Sequence, residues 1–340
     1  TPHSRTRPTE QQRSAGRARR RGGSLGRHGR EGSRASEATG PIVCAALILE
    51  RSPQLIAYPT WNGGAPHTVV GDLRVLPGVA SRELGNVRDL YILLPASYDA
   101  CPERRYPVIY AQDGQNLFDQ HRSYAGEWRF DKTLVGLAAE GIEPIVVGIA
   151  NTGTDRIHEY SPIVEPGVSE GRGDAYLTFL VETVKPLIDS LLRTLPGRES
   201  TGVIGSSLGG LISLFAFFER AETFGWVGGM SPSLQLGDGE FLRYLERRSY
   251  VPGRIYLDVG SEEGARPRLG RYLFRPFARP YPARVRAVFR RLVRKGYTAG
   301  ESIVLVQEAG GRHHEEAWAR RLPFALRFLC SGTFSPEDSG

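Results

Sequence analysis

Cysteine and methionine are scarce in this chain, and long apolar runs are missing. The three cysteines, Cys44, Cys101 and Cys330, are odd in number and widely spaced, which leaves neither a disulfide framework nor a C-x-x-C pair for a metal or a redox couple. None has the surroundings of a cysteine hydrolase, so incidental or buried thiols in a reducing, cytoplasmic compartment are expected. The only methionine is Met230, so residue 1 is not an initiator. The longest apolar stretch, 42–49, ends in Glu50-Arg51 and falls well short of the ~20 residues that cross a bilayer. No membrane association is expected.

Net charge is also missing from most of the chain. The total is +7, yet the first 40 residues alone hold ten Arg against Glu10, Glu31 and Glu37, so the remainder is balanced. A basic tail, not a basic face, sets the charge, and nucleic acid is not expected as a partner. That tail is rich in Arg, Ser and Gly with almost no large apolar side chain, and could not bury enough surface to fold. Arg19-Arg20-Arg21 hints at twin-arginine export, but lies well before the apolar run. The expected organisation is a disordered tail over 1–60, one domain over 61–332 and a short tail over 333–340.

An apolar share of 40% is ample for a core. Strand-like runs at 67–75 and 87–95, parted by Gly and Pro, predict an antiparallel opening to a sheet. A strand at 106–111 then runs into the polar loop 112–118. Helical spacing over 130–140, a strand at 144–150 and a long helix over 174–193, kinked at Pro186, come next. Beyond the next strand and helix the pattern continues with strands at 225–230, 254–260 and 302–307 and helices at 241–248, 282–295 and 315–330. Such alternation predicts an α/β fold, a mostly parallel sheet with helices on both faces and sites at the carboxyl ends of the strands.

Gly205-Ser206-Ser207-Leu208-Gly209 fits the G-x-S-x-G elbow, a sharp strand-to-helix turn that exposes a serine. Ser207 is the candidate nucleophile, and Gly205 and Gly209 supply room where backbones approach. A serine hydroxyl needs a base and an acid that orients the base, in the chain order Ser, acid, His. Only His313 and His314 follow the elbow. Their spacing with Glu315 and Glu316 lacks the H-E-x-x-H pattern of a zinc helix. Asp258, Glu262 and Glu263 all lie near the end of the strand at 254–260. Asp258 reads as structural, while the two glutamates lie on the loop where the acid belongs. The oxyanion requires two N–H donors, for which Leu208, next after the nucleophile, and Gln115, in the Gly-bearing loop after an earlier strand, are the candidates.

Taken together, Asp113-Gly-Gln-Asn-Leu-Phe118, Arg156-x-x-Glu159-Tyr160-Ser-Pro162, the elbow with Gly210, Ser231-Pro-Ser-Leu234 and His313-x-Glu315-x-x-Trp318 resemble the putative esterase family of α/β-hydrolases. Its members include esterase D, enterochelin esterase, feruloyl esterase and mycolyltransferase relatives. The likeness covers roughly 67–329. It implies an α/β-hydrolase fold and a carboxylic ester hydrolase of small-molecule esters, with Ser207 as nucleophile, His313 as base because Trp318 follows it at the matching distance, Glu263 as acid and Gln115 as loop donor. No cofactor or metal is implied. Asp113, Trp128, Arg156, Glu159 and Tyr160 are the candidates for the substrate pocket, with an Arg156–Glu159 ion pair as the alternative for those two. Gln112 and Gln235 depart from the His and Trp that relatives often carry there. An acyltransferase on the same fold and a hydrolase-like binding protein without chemistry are the alternative readings.

Overall fold

The computed structural model describes residues 53–162, 171–235, 239–264 and 280–332. Among them, nine strands form one sheet in the order β1-β2-β3-β5-β4-β6-β7-β8-β9. The strands are β1 (Ile56–Ala57), β2 (Asp72–Ser81), β3 (Asn86–Leu94), β4 (Val108–Gln112), β5 (Ile145–Ile149), β6 (Thr201–Ser206), β7 (Trp226–Met230), β8 (Arg254–Gly260) and β9 (Ile303–Glu308). The first three pair antiparallel, as does β3 with β5, and every pair from β5 through β4 to β9 is parallel. The α/β fold with antiparallel first strands is therefore the observed one.

Periodicity explains this division. In β4, β5, β6 and β7 every residue is buried, as expected of strands covered by helices on both faces. Two apolar clusters lie one on each face, one built around Leu211, Phe217 and Val288 and the other around Trp128, Phe130 and Leu326. The helices are α1 (Tyr58–Trp61), α2 (Phe130–Leu137), α3 (Arg156–Glu159), α4 (Gly173–Thr178), α5 (Lys185–Leu191), α6 (Leu208–Glu219), α7 (Glu240–Arg247), α8 (Tyr281–Lys295) and α9 (Glu315–Ser331). Helix α6 is buried on all sides from Gly209 to Phe218, which fits its continuous apolar sequence.

Two expectations need correction. The kinked helix over 174–193 is α4 and α5 joined by a π-helical segment, Phe179–Val184. Pro186, at the start of α5, has no N–H to give the preceding turn, and the wider π turn absorbs the mismatch. Residues 53–60, assigned by composition to the tail, belong to the body: Tyr58 is buried, and its hydroxyl donates to Asp119 at 2.7 Å. A single anchoring aromatic carries no periodic pattern, so the sequence does not mark this boundary. The remaining tail, 1–52, with Cys44 and the apolar run 42–49, lies outside the described residues, as do 333–340. Cys101 and Cys330 are free thiols, and burial pushes the Cys330 thiol up to about 12. No helix of the described residues is long and apolar enough to cross a membrane.

Candidate active site

Strand β6 ends at Ser206, and the chain turns at Ser207 with φ 55 and ψ −122 before entering α6. That conformation is costly for a residue with a side chain and persists only where the surroundings enforce it. Here the Ser207 N–H donates to the Met230 carbonyl at 3.0 Å, and the Ser233 N–H donates to the Ser207 carbonyl at 2.9 Å. A Cβ on Gly205 would lie 2.5 Å from the backbone of Gly209, so only glycine lets the strand and the helix approach this closely. Gln112 packs beneath the turn, accepting from the Tyr176 hydroxyl and donating to Ser213 Oγ at 3.5 Å.

The loop after β8 and the loop after β9 meet at the same edge. A Cβ on Gly260 would lie 2.2 Å from the Gly311 carbonyl oxygen, so these loops touch through glycine backbone. The contact brings three distant residues into line. His313 Nε2 lies 2.9 Å from Ser207 Oγ, and His313 Nδ1 lies 3.0 Å from Glu263 Oε2. Of the acids left open by sequence, Glu263 is the one at the imidazole. Glu262 is exposed and meets Arg312 at 3.1 Å. Asp258 is buried and accepts the Ser231 N–H at 2.9 Å. Likewise, His314 is not the base partner, and its Nδ1 instead accepts the Glu316 N–H at the start of α9.

Electrostatics follow from burial and donors. Burial alone would raise the Glu263 carboxyl, but hydrogen bonds from His313, Ser231 and the Gly260 N–H outweigh it and hold the group below the ordinary carboxylate range. Asp258 lacks that many donors. Burial pushes it up to about 6, against the pull of Arg321 and the Ser231 N–H.

A cleft of about 750 Å³, ample for a small-molecule ester, opens over Ser207 and His313. Asp113, Gln115, Trp128 and Arg156 are among the residues that line it. Asp113 sits at φ 58, gripped bidentately by Arg156 at 2.6 and 2.7 Å and by Asn151 at 2.7 Å. Desolvation works against the Arg156 charge, but Asp113 overcomes it and keeps the guanidinium above its ordinary value. Asn151 also donates its N–H to the Gln115 side chain at 3.0 Å, fixing the loop that carries the second candidate donor. Leu208 opens α6, where the first-turn N–H groups have no acceptor within the helix.

Glu159 and Tyr160 are not pocket residues. Glu159 is fully buried and pairs with Arg88 at 2.9 Å, receiving Asn86 Nδ2 at 2.7 Å as well. Tyr160 is buried under the Arg156 guanidinium, 4.9 Å from ring centre to charge. The alternative reading, an Arg156–Glu159 ion pair, is not formed either: the pairs are Arg156–Asp113 and Arg88–Glu159. Both partners come from far along the chain, Arg88 from β3 and Asp113 from the loop just after β4.

Sequence reasoning gave no role to Ser231, Ser233, Tyr281 or Arg321. Ser233 Oγ lies 3.1 Å from Ser207 Oγ, and Ser231 Oγ and Arg321 reach Glu263. A signal existed for Arg321, since it falls on the buried stripe of α9 with Ala317, Trp318, Leu322 and Ala325. A charge on such a stripe requires a buried partner.

Comparison with known proteins places this geometry in context. A family model described as Putative esterase matches residues 81–329. An uncharacterized protein of Bacillus subtilis (strain 168), YbbA, is 27% identical over 261 residues, covering 75% of this chain and 97% of its own. The enterobactin esterase FES of Shigella flexneri superposes with a TM-score of 0.60 at 21% identity, over 80% of this chain and 62% of its own. The chain thus spans less than two thirds of that enzyme. A ferulic acid esterase superposes with a TM-score of 0.56 at 17% identity, over 76% of this chain and 99% of its own. At these identities the structural likeness speaks for the fold.

Proposed function

The chain belongs to the Putative esterase family of carboxylic ester hydrolases, and from that premise we propose that Ser207, His313 and Glu263 cleave a small-molecule ester through an acyl-enzyme. The observation that carries this reading is the unbroken chain of contacts from Glu263 Oε2 to His313 Nδ1 at 3.0 Å and from His313 Nε2 to Ser207 Oγ at 2.9 Å. With Glu263 ionised and accepting from Nδ1–H, Nε2 is the unprotonated nitrogen, which is the base a serine requires.

As Ser207 Oγ attacks the acyl carbon, its proton passes to Nε2. The new imidazolium is held by Glu263, and the oxygen that gains negative charge is held by the N–H groups of Leu208 and Gln115. Collapse returns the proton from Nε2 to the departing alkoxide, leaving Ser207 acylated. Water then attacks the acyl carbon, giving a proton to Nε2; the acyl–Oγ bond breaks, Nε2 returns that proton to Ser207 Oγ, and the acid product leaves. Trp128 and Arg156 with its partner Asp113 form the wall against which the substrate is oriented. The likeness to a ferulic acid esterase and to an enterobactin esterase makes feruloyl esters and siderophore esters the first natural substrates to assay.

Hydrolysis of p-nitrophenyl butyrate by the wild type and by Ser207→Ala tests the reading. The variant should lose about 10⁴-fold or more in kcat and all labelling by a fluorophosphonate. A variant that keeps its rate within tenfold would overturn the assignment.

A further inference from the structure

Behind the imidazole lies a buried group of polar side chains for which ester cleavage by Ser207 and His313 has not yet supplied a use. At its centre is Ser231, one of the non-glycine residues at positive φ, 42°. Every polar atom of this residue is occupied. Its N–H donates to Asp258 Oδ1 at 2.9 Å and to the Asp258 carbonyl at 3.2 Å, and its carbonyl accepts from the Tyr281 hydroxyl at 2.5 Å. Its hydroxyl has three neighbours: Trp318 Nε1 at 3.0 Å, Arg321 Nη2 at 2.9 Å and Glu263 Oε1 at 2.6 Å.

The direction of these three bonds is fixed by valence. Indole and guanidinium nitrogens only donate, so both acceptor positions of the Ser231 oxygen are filled by Trp318 and Arg321. The single hydroxyl proton then has one place to go, Glu263 Oε1. That oxygen also receives the Gly260 N–H at 2.7 Å, which leaves no site on it for a proton of its own. With Oε1 saturated and the group ionised, Oε2 can only accept, and it accepts from His313 Nδ1. We propose that Ser231 is a positioning residue that fixes the ionisation and orientation of Glu263 and, through it, the Nε2-basic tautomer of His313.

The proposal rests on the triad reading and adds a residue that touches neither substrate nor nucleophile. The charged and titratable groups around Glu263 come from every neighbouring element. They are His313 from the loop before α9, Arg321 from α9, Asp258 from β8, Glu308 from β9 and Tyr281 from α8. Arg321 Nη2 already lies 3.5 Å from Glu263 Oε1, while its other nitrogens are held by Asp258 at 3.3 Å and Glu308 at 3.4 Å. The attraction of these two carboxylates opposes a swing of the guanidinium into the place of a lost hydroxyl.

Loss of the Ser231 hydroxyl therefore removes a donor from the carboxylate, makes it more basic, and strengthens its hold on the imidazolium. The acid limb of the kcat/KM profile, where His313 must be neutral to act, then moves to higher pH. The test is that profile on p-nitrophenyl butyrate from pH 5 to 9 for the wild type, Ser231→Ala and Ser231→Gly, with Ser207→Ala run first. Glycine adopts positive φ without strain, so Ser231→Gly keeps the turn and serves as the readout should Ser231→Ala fail to fold. In both variants kcat should fall roughly tenfold to a hundredfold, from a looser base, and the acid limb should rise by about half a pH unit or more. An acid limb that stays in place or moves down, with or without a fall in kcat, would overturn the role of Ser231 and leave the triad intact. Undiminished turnover by Ser207→Ala would overturn the triad itself.

Discussion

Gly205→Ala puts the strongest demand on the elbow as described. The added methyl would stand 2.5 Å from the carbonyl carbon and oxygen of Gly209 and 2.7 Å from Gln112 Cγ. Ordinary carbon contacts begin near 3.5 Å, so strand β6 and the first turn of α6 must part by about 1 Å. The facing atoms are backbone of a helix buried on all sides, and no rotamer change relieves them. The cost therefore falls at the upper end of overpacking, about 3 kcal/mol. For a domain of this size that lowers Tm by roughly 6–12 °C. The first turn of α6 also carries Ser207 and the Leu208 N–H, and a displacement near 1 Å in catalytic geometry costs about a hundredfold in rate. Thermal melts and kcat on p-nitrophenyl butyrate measure the two effects separately. Gly209→Ala is the milder comparison, since its methyl would meet Gln112 Cβ at 3.0 Å and Asp113 Oδ2 at 3.2 Å, contacts longer than those at Gly205. A Gly205→Ala protein with unchanged Tm and kcat would refute the claim that close backbone approach holds Ser207 in place.

Two further predictions concern charges buried away from the cleft. Arg88→Met strands Glu159, whose side chain has no exposure, and should cost about 3–5 kcal/mol with kcat/KM unchanged well below Tm; pairing it with Glu159→Leu should restore much of the loss in urea melts. A fall in kcat/KM without loss of stability would instead put Glu159 back in the substrate pocket. Asp258, pushed up to about 6 from an ordinary 3.8, contributes stability that is full below pH 4 and is lost as pH rises to 6, about 3 kcal/mol in all. The wild type should accordingly lose ground to Asp258→Asn over that interval in denaturant midpoints. A stability difference that is flat with pH would show that Arg321 has already cancelled the cost of the buried charge.

Much of the molecule is determined by sequence alone, because the signals involved are local. Short apolar runs bounded by Gly and Pro in β4 to β7 mark strands buried on both faces, and glycines at 205 and 209 around Ser207 mark the elbow and its candidate nucleophile. Chain order left two histidines, and the motif ending in Trp318 picked His313. The acid is different. Asp258, Glu262 and Glu263 differ by a few positions on one strand end, and which of them faces His313 depends on how closely Gly260 approaches Gly311, a contact between separate loops. Partnerships across the sheet are equally invisible in one dimension. Arg156 finds Asp113, just after β4, and Glu159 finds Arg88, on β3, across long stretches of chain, and the alternative Arg156–Glu159 pair does not form. Ser231 is the furthest from legibility. Its importance lies in one hydroxyl proton left with a single acceptor, and that follows only once Trp318, Arg321 and Glu263 are folded around it.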